Sequence, residues 1–203
     1  MPNHVTNWVH ISGDPQKLAD LKARLNTGET EFDFNAIIPR PPSLDITSGT
    51  STDEGMAALS DQYFARYGYG DEWMEKRFDG KVKTRQDLEN YLKEHRPDSL
   101  REGQIALDNL KQYGVKDWYD WGCREWGTKW NAYSVELLAE NKNELFYRFD
   151  TAWSSPTPIF DAIVNEGFEV DVFWSDEGGP SGDYGDPWSF FDIDTSPRVS
   201  IAN

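Results

Sequence analysis

Alternating apolar and polar residues predict β-strands with one buried face in several parts of the chain. The predicted strands are His4 to Ser12, Trp130 to Leu138, Glu144 to Trp153 and Phe168 to Trp174, with a last strand or hairpin partner at Trp188 to Asp194. The second and third are joined by a polar turn at 140–143, which predicts a hairpin. Its inward-facing positions are predicted to be Tyr133, Val135 and Leu137 on one strand and Leu145, Tyr147 and Phe149 on the other.

Apolar residues at helical spacing predict one helix after the first strand and another after the hairpin. Asp14-Pro15 supplies an N-cap and a proline at the first helical position, and the stripe behind it is Leu18, Leu21 and Leu25. The helix after the hairpin is predicted to begin at Ser154-Ser155-Pro156 and to end at Gly167.

Residues 53–114 carry further helical patterns and are predicted to form a helical insertion after the first helix. Met56 to Tyr67 forms one pattern, Thr84 caps the next, and a third starts at Asp98 or Ser99 and ends at Gly114. The Ser-, Thr- and Gly-rich stretch before them, up to about Gly55, is predicted to be a loop.

The order of strands and helices predicts an α+β fold, a ferredoxin-like βαββαβ antiparallel sheet with the helical insertion after its first helix. We expect a single domain over residues 1–203, with its core at about 1–38 and 116–203. Both core helices should cover the same face of the sheet, because the crossovers are right-handed. The other face is then left for the insertion, for aromatic side chains or for a partner.

The most aromatic stretch, WYDWGCREWGTKWNAY, lies where the insertion ends and the hairpin begins. Two interpretations fit it, a platform that stacks bases or a structural seam that packs the fold together. Stacking platforms lie in basic grooves, and here only Arg124 and Lys129 are basic, which favours packing. The predicted seam residues are Trp118, Trp121, Trp126, Trp130 and Tyr133.

The composition limits the classes of partner that the protein could bind and the cellular compartment that suits it. The net charge of −16 argues against direct binding of nucleic acid or of an anionic membrane. The single cysteine, Cys123, excludes an internal disulfide and a cysteine-type zinc site, which fits a reducing cytoplasm. Neither a signal-like N-terminus nor a run of about eighteen apolar residues is present, so a soluble protein is expected.

Negative charge is concentrated in one segment. Between Asp150 and Asp194 there are eleven acidic residues and no lysine or arginine. A solvated surface is the ordinary explanation of such a run, and a binding face for a cationic partner is the alternative. The residues predicted to form that face are Asp171, Asp176, Glu177, Asp183, Asp186, Asp192 and Asp194. The partner they would suit is a host protein with a basic surface, such as a nuclease or a DNA-binding protein, whose phosphate-binding groove a DNA-like array of carboxylates could fill.

Four sequence blocks resemble one known family. PNHVTNWVHISG, FDFNAIIPRP, WGTKWNAY and FDTAWSSPTP are similar, in this order, to the YubB-type and Api-type ferredoxin-like proteins of bacteriophages and conjugative plasmids. The resemblance implies the ferredoxin-like domain and a bacterial mobile-element origin. It implies no activity and no catalytic residues, and the insertion carries none of the blocks.

Candidate chemistry is sparse, so no catalytic residue, metal ligand or cofactor is predicted. Cys123 would need a base, and His4, His10 or His95 could supply one, but no nucleophile motif surrounds it, and a buried packing cysteine is favoured. The acidic loop at 176–186 lacks EF-hand spacing, which favours a turn over a divalent-cation site. The prediction is therefore a non-enzymatic binding protein, with a metal- or small-molecule-dependent enzyme and a scaffold protein as alternatives.

Overall fold

The computed structural model describes residues 3–66 and 76–185 of the chain. The strands are β1 (His4–Ser12), β2 (Tyr133–Glu140), β3 (Glu144–Ala152), β4 (Glu169–Asp176) and β5 (Ser181–Tyr184). The helices are α1 (Pro15–Leu25), α2 (Thr50–Leu59), α3 (Asp61–Arg66), α4 (Arg85–His95), α5 (Pro97–Tyr113), α6 (Trp118–Trp121) and α7 (Thr157–Asn165). Within the described ranges no helix is long and apolar enough to cross a membrane.

The chain has two compact units. The sheet unit consists of Met1–Pro39 and Gly122–Asn203, and the helical unit consists of Arg40–Trp121. The helices predicted within residues 53–114 belong to the helical unit. The boundary at Trp121 falls inside the aromatic stretch, so the predicted seam residues are divided between the units.

The sheet unit has a mixed α+β fold built on a five-stranded antiparallel sheet. Its strand order is β2-β3-β1-β4-β5, with β1 at the centre. The sequence predicted an acidic turn over residues 176–186; residues 177–180 connect β4 to β5, but Ser181–Tyr184 form an edge strand, so the prediction was wrong there. The backbone of β5 pairs with β4 from Val172 to Ser175, so an extended conformation is stabilised despite the glycine and the charges. The strand predicted at Trp188 to Asp194 lies outside the described residues.

One face of the sheet is covered and holds the core. Val5, Val9 and Ile11 of β1 are fully buried there, because alternate strand residues point to the same side. Helix α1 starts where Asp14 accepts hydrogen bonds from the Gln16 and Lys17 backbone N–H groups, as predicted, and packs its leucine stripe on this face. The rings of Phe32 and Phe34 close the layer against β3, with centroid distances of 4.8 and 5.9 Å to Phe149.

The hairpin forms as predicted, but β2 runs over Tyr133–Glu140 instead of Trp130 to Leu138, and one predicted inward-facing residue points the other way. Leu137 faces Tyr147 on the covered side, as predicted, but Tyr133 pairs with Asp150 and points to the opposite face. The cause is a bulge between Tyr133 and Glu136, where Ser134 adopts φ 52° and the alternation shifts by one residue.

In the helical unit, α2 begins earlier than the sequence predicted. The Ser-, Thr- and Gly-rich stretch was predicted to be a loop up to Gly55, but the helix starts at Thr50 and buries Thr52 and Glu54. Tertiary contacts therefore override the low helix propensity of the stretch. The caps of the later helices follow the sequence: Thr84 forms a capping box with Asp87, and Gly114 ends α5 in the left-handed conformation at φ 75°.

Candidate functional site

The second face of the sheet carries most of the polar chemistry of the sheet unit. Thr6, Trp8, His10 and Ser12 of β1 point to this side, opposite to Val5, Val9 and Ile11. Their cross-strand neighbours add six carboxylates and a single described cation, Arg148. We call this surface the acidic face; its carboxylates are Glu136, Glu144, Asp150, Glu169, Asp171 and Asp183.

A row of five side chains crosses the acidic face from one edge strand to the other. The register places Glu136, Arg148, Trp8, Phe173 and Asp183 side by side on β2, β3, β1, β4 and β5. The two aromatic rings at its centre lie 5.5 Å apart, and Phe173 is 37% exposed. At one end the Arg148 guanidinium lies 3.4 Å from Glu136 and 4.0 Å from Asp150. The row thus combines an accessible apolar centre with acidic ends.

A buried histidine lies in the next row of the acidic face. His10 is only 9% exposed, and its Nδ1 and Nε2 atoms make no hydrogen bond with the described residues. Nδ1 lies 3.8 Å from Asp171 and Nε2 lies 3.8 Å from Glu144, beyond hydrogen-bond distance. Buried polar groups normally have a hydrogen-bonding partner, so a ligand or a partner group at this point would complete the histidine.

Polar contacts order the end of the acidic face near the start of β1. The Thr6 hydroxyl donates to Asp150 at 2.8 Å, and His4 Nδ1 lies 2.5 Å from the Tyr133 hydroxyl. Burial raises the pKa of Tyr133, and the charges of Asp150 and Glu177 raise it further. Tyr133 therefore stays a neutral phenol over the physiological pH range.

The predicted acidic residues are only partly brought together. Asp171 and Asp183 lie on the acidic face, whereas Asp176 lies at the end of β4, where its carboxylate accepts the Gly178 N–H. Glu177 follows β4, where its backbone N–H donates to the His4 carbonyl and its carboxylate accepts the His4 N–H. Asp186, Asp192 and Asp194 lie outside the described residues.

Sequence reasoning missed four carboxylates and two aromatic rings of the acidic face, namely Glu136, Glu144, Asp150, Glu169, Trp8 and Phe173. Glu136 and Glu144 belong to the hairpin, outside the acidic segment between Asp150 and Asp194. A signal for Glu136 was present in the alternation, since it lies between Val135 and Leu137, whereas Glu144 directly follows the polar turn. Only the register shows that they share a face of the sheet with Asp171 and Asp183.

The predicted seam residues have different environments. Trp118 and Trp121 belong to α6 in the helical unit, where Trp121 makes an edge contact with Tyr113 at 6.2 Å. In the sheet unit, Trp126 is 1% exposed and its indole N–H donates to the Ile38 carbonyl at 2.9 Å. Trp130 is half-buried, and Lys129 Nζ lies 4.5 Å from its ring and 4.9 Å from the ring of Trp153.

The four sequence blocks meet in hydrogen bonds inside the sheet unit. Asn131 accepts the Phe34 N–H and donates to Asp33, both at 2.8 Å, which joins the second and third blocks. Thr128 donates to the Ala152 carbonyl at 2.7 Å, which joins the third and fourth blocks. The first block joins through Asn7, which donates to Thr151 Oγ1 at 3.0 Å. These hydrogen-bonded motif residues therefore build the fold, while other residues of the first and fourth blocks, such as Trp8, His10 and Asp150, lie on the acidic face.

The geometry gives little support for catalysis by Cys123 or for metal binding. Cys123 was predicted to be a buried packing cysteine, but it is exposed, because the π-helical turn Gly122–Trp126 buries Gly122 and Trp126 and turns the cysteine outward. In residues 3–66 and 76–185 no group of three or more His, Cys, Asp or Glu side chains is arranged to hold a metal ion.

Tyr184 fixes β5, and with it Asp183, to the sheet unit. Its hydroxyl donates to Asp161 of α7 at 2.8 Å, and its ring lies 5.4 Å from Phe160. Burial raises the pKa of Tyr184 to about 12, and the hydrogen bond to Asp161 and its negative charge also raise it. The raised pKa means that the neutral phenol stabilises the folded state. Its contribution to the free energy of unfolding is complete below about pH 10 and is lost as the pH rises towards 12.

We predict that Asp161→Asn lowers the pKa of Tyr184, since it removes the negative charge beside the phenol. Titration of tyrosine absorbance from pH 8 to 13, with Tyr184→Phe as the variant that identifies the signal, measures it. An unchanged late-titrating tyrosine in Asp161→Asn would contradict the contact.

Comparison of the chain with protein-family models and with curated proteins gives no match. One solved structure is similar, that of the protein Api92 from Yersinia pseudotuberculosis, which carries the family model DUF1281. The alignment covers 92% of this chain and 99% of that chain, with 14% sequence identity and a TM-score of 0.43. A likeness this distant transfers neither residues nor activity, so the functional argument rests on the acidic face.

Proposed function

We propose that this protein is a non-enzymatic binding protein whose acidic face binds a basic surface of another protein. The observation that carries the proposal is the combination of six carboxylates and one cation around the accessible Trp8–Phe173 pair. Interfaces are commonly anchored by a few aromatic side chains inside a polar rim, and complementary charge steers the partners together. A nuclease or a DNA-binding protein presents the required cationic surface, and the acidic face would then compete with nucleic acid for it.

The proposal also includes a finer description of the fold. Along the chain the sheet unit has the order β1, α1, β2, β3, α7, β4, and these four strands are neighbours in the order β2-β3-β1-β4. Both support a ferredoxin-like βαββαβ sheet with β5 added at one edge and the helical unit inserted after α1. In this arrangement α1 and α7 share one face, which leaves the opposite face for a partner.

The proposed setting is the cytoplasm of a bacterium that carries a phage or a conjugative plasmid. The four sequence blocks and their resemblance to Api-type proteins support the mobile-element origin. Cys123 is the single cysteine of the chain and cannot form an internal disulfide, which supports a reducing compartment. An inhibitor of a host nuclease or DNA-binding regulator fits that setting.

Charge reversal on the acidic face tests the proposal. We expect the triple variant Glu144→Lys, Glu169→Lys, Asp183→Lys to lose partner binding by roughly a hundredfold or more, because like charges facing each other cost several kcal/mol. All three side chains are exposed, so the fold should be retained. Bacterial lysate proteins retained on the immobilised wild type are compared with those retained on the variant, and the affinity of the retained protein is measured at two salt concentrations.

A matched control has the same change of charge elsewhere. Glu29→Lys, Glu94→Lys and Asp98→Lys also reverse three exposed carboxylates, but none of them lies on the acidic face. This control should bind like the wild type, and binding should weaken as salt is raised. If both triple variants lost the same amount of binding affinity, the loss would be due to net charge and not to the acidic face. If the acidic-face variant still bound the partner, the acidic face would be excluded as the binding surface.

A further inference from the structure

The two ends of the aromatic row on the acidic face are not equivalent. At the β2 and β3 end, Arg148 stands beside Trp8 and pairs with Glu136 and Asp150. At the β4 and β5 end, the equivalent position beside Phe173 is occupied by the Asp183 carboxylate, which has no cationic partner among the described residues. The face thus already holds one guanidinium of its own, next to an aromatic ring and between two carboxylates.

We infer that the β4 and β5 end of the acidic face is a recognition site for an arginine side chain of the partner. In this site the guanidinium stacks on the exposed ring of Phe173 and pairs with Asp183, as Arg148 pairs with Glu136 and Asp150 at the other end. The inference rests on the proposed function, because it names the side chain that the acidic face selects.

His10 gives an independent reason for a polar ligand at this place. It is nine-tenths buried, both of its ring nitrogens lack a hydrogen bond within the described residues, and it pairs across the strands with Asp171, next but one to Phe173. An acceptor nitrogen of the imidazole takes one further N–H donor. A guanidinium has five N–H groups in a planar fork, so it can serve a ring and a carboxylate together with N–H groups left over.

Lysine does not fit this site equally well. Its ammonium is a compact and strongly hydrated charge with three donors. It has no planar group that could stack on an aromatic ring. On a merely acidic surface the two cations would bind alike, since screened attraction depends on charge. A preference for arginine therefore distinguishes a built site from a charged surface.

The test compares two peptides of equal length and charge, octa-arginine and octa-lysine, each acetylated and amidated. Binding to the full chain is measured by calorimetry at physiological salt. We expect octa-arginine to bind roughly tenfold more tightly, and Phe173→Leu to reduce this preference to about twofold while octa-lysine binding stays unchanged. Asp183→Asn should weaken both peptides and octa-arginine more, whereas Asp98→Asn, an exposed carboxylate on α5, should change neither preference nor affinity.

The outcomes separate this inference from the proposed function. Equal affinity for both peptides, or a preference that Phe173→Leu leaves intact, overturns the arginine site while the acidic face remains a cation-binding surface. Failure of both peptides to bind the wild type overturns the proposed function and the inference together. Circular dichroism of each variant excludes loss of the fold as the cause.

Discussion

Replacing Gly103 with alanine is expected to destabilise the helical unit by about 3 kcal/mol or more, because overpacking that meets backbone is not relieved by side-chain rotation. Gly103 on α5 and Gly55 on α2 face each other where the backbones of these two helices come close together. A Cβ atom on Gly103 would lie 2.2 Å from the Gly55 carbonyl carbon and 2.5 Å from the Met56 nitrogen. The two helices must separate to admit it.

The change in stability expected for Gly103→Ala has the opposite sign to the one that helix propensity predicts. Glycine inside a helix normally costs about 1 kcal/mol relative to alanine, so helix propensity alone predicts that Gly103→Ala stabilises the protein. Urea unfolding followed by circular dichroism decides between the two, with Gln104→Ala on the exposed side of the same helix as control. A gain of stability, or a change no larger than that of Gln104→Ala, would contradict the close crossing.

The local signals in the sequence correctly predicted those elements whose ends are set by local contacts. Asp14 and Thr84 cap their helices with their own side chains, and Gly114 ends α5 through its left-handed backbone. The start of α2 escaped prediction because its polar residues are buried by the rest of the helical unit, as Glu54 shows at 0% exposure. Propensity describes an isolated segment, and here tertiary packing decides.

The acidic face was only partly predictable for a related reason. Charge density along the chain pointed to Asp171 and Asp183, but a face is set by neighbours across strands, which lie far apart in sequence. Tyr133 shows the difficulty at one residue, because a single bulge moves it to the side opposite to the predicted one. The four sequence blocks were visible in the sequence, and hydrogen bonds between them form part of the frame of the sheet unit.

The charges of the acidic face have a physical consequence for binding. Six carboxylates around one arginine repel one another, and a cationic partner relieves that repulsion while it covers the Trp8–Phe173 pair. The electrostatic part of the attraction falls with salt, and the part due to aromatic burial does not. The salt dependence of binding therefore reports how the two contributions are divided.

The second large effect is expected where the helical unit buries a charge. The Glu54 side chain is fully buried, Arg77 Nε contacts one of its oxygens, and Arg96 Nη1 lies 2.6 Å from the other. Arg96 also lies over the rings of Phe78 and Tyr91, at 5.4 and 5.8 Å from their centres. The two arginines thus compensate a carboxylate that has no access to water.

We predict that the double variant Arg77→Met, Arg96→Met lowers the free energy of unfolding by about 3 to 5 kcal/mol, because it leaves a buried charge without a partner. Adding Glu54→Leu to that variant should restore most of the loss, since a buried ion cluster can be replaced by apolar side chains at little cost. Arg101→Met, which removes an exposed pair with Asp98, should cost at most about 1 kcal/mol. Urea unfolding of the four proteins measures the series. If the triple variant were no more stable than the double variant, the loss would come from the missing arginine packing and not from the uncompensated carboxylate.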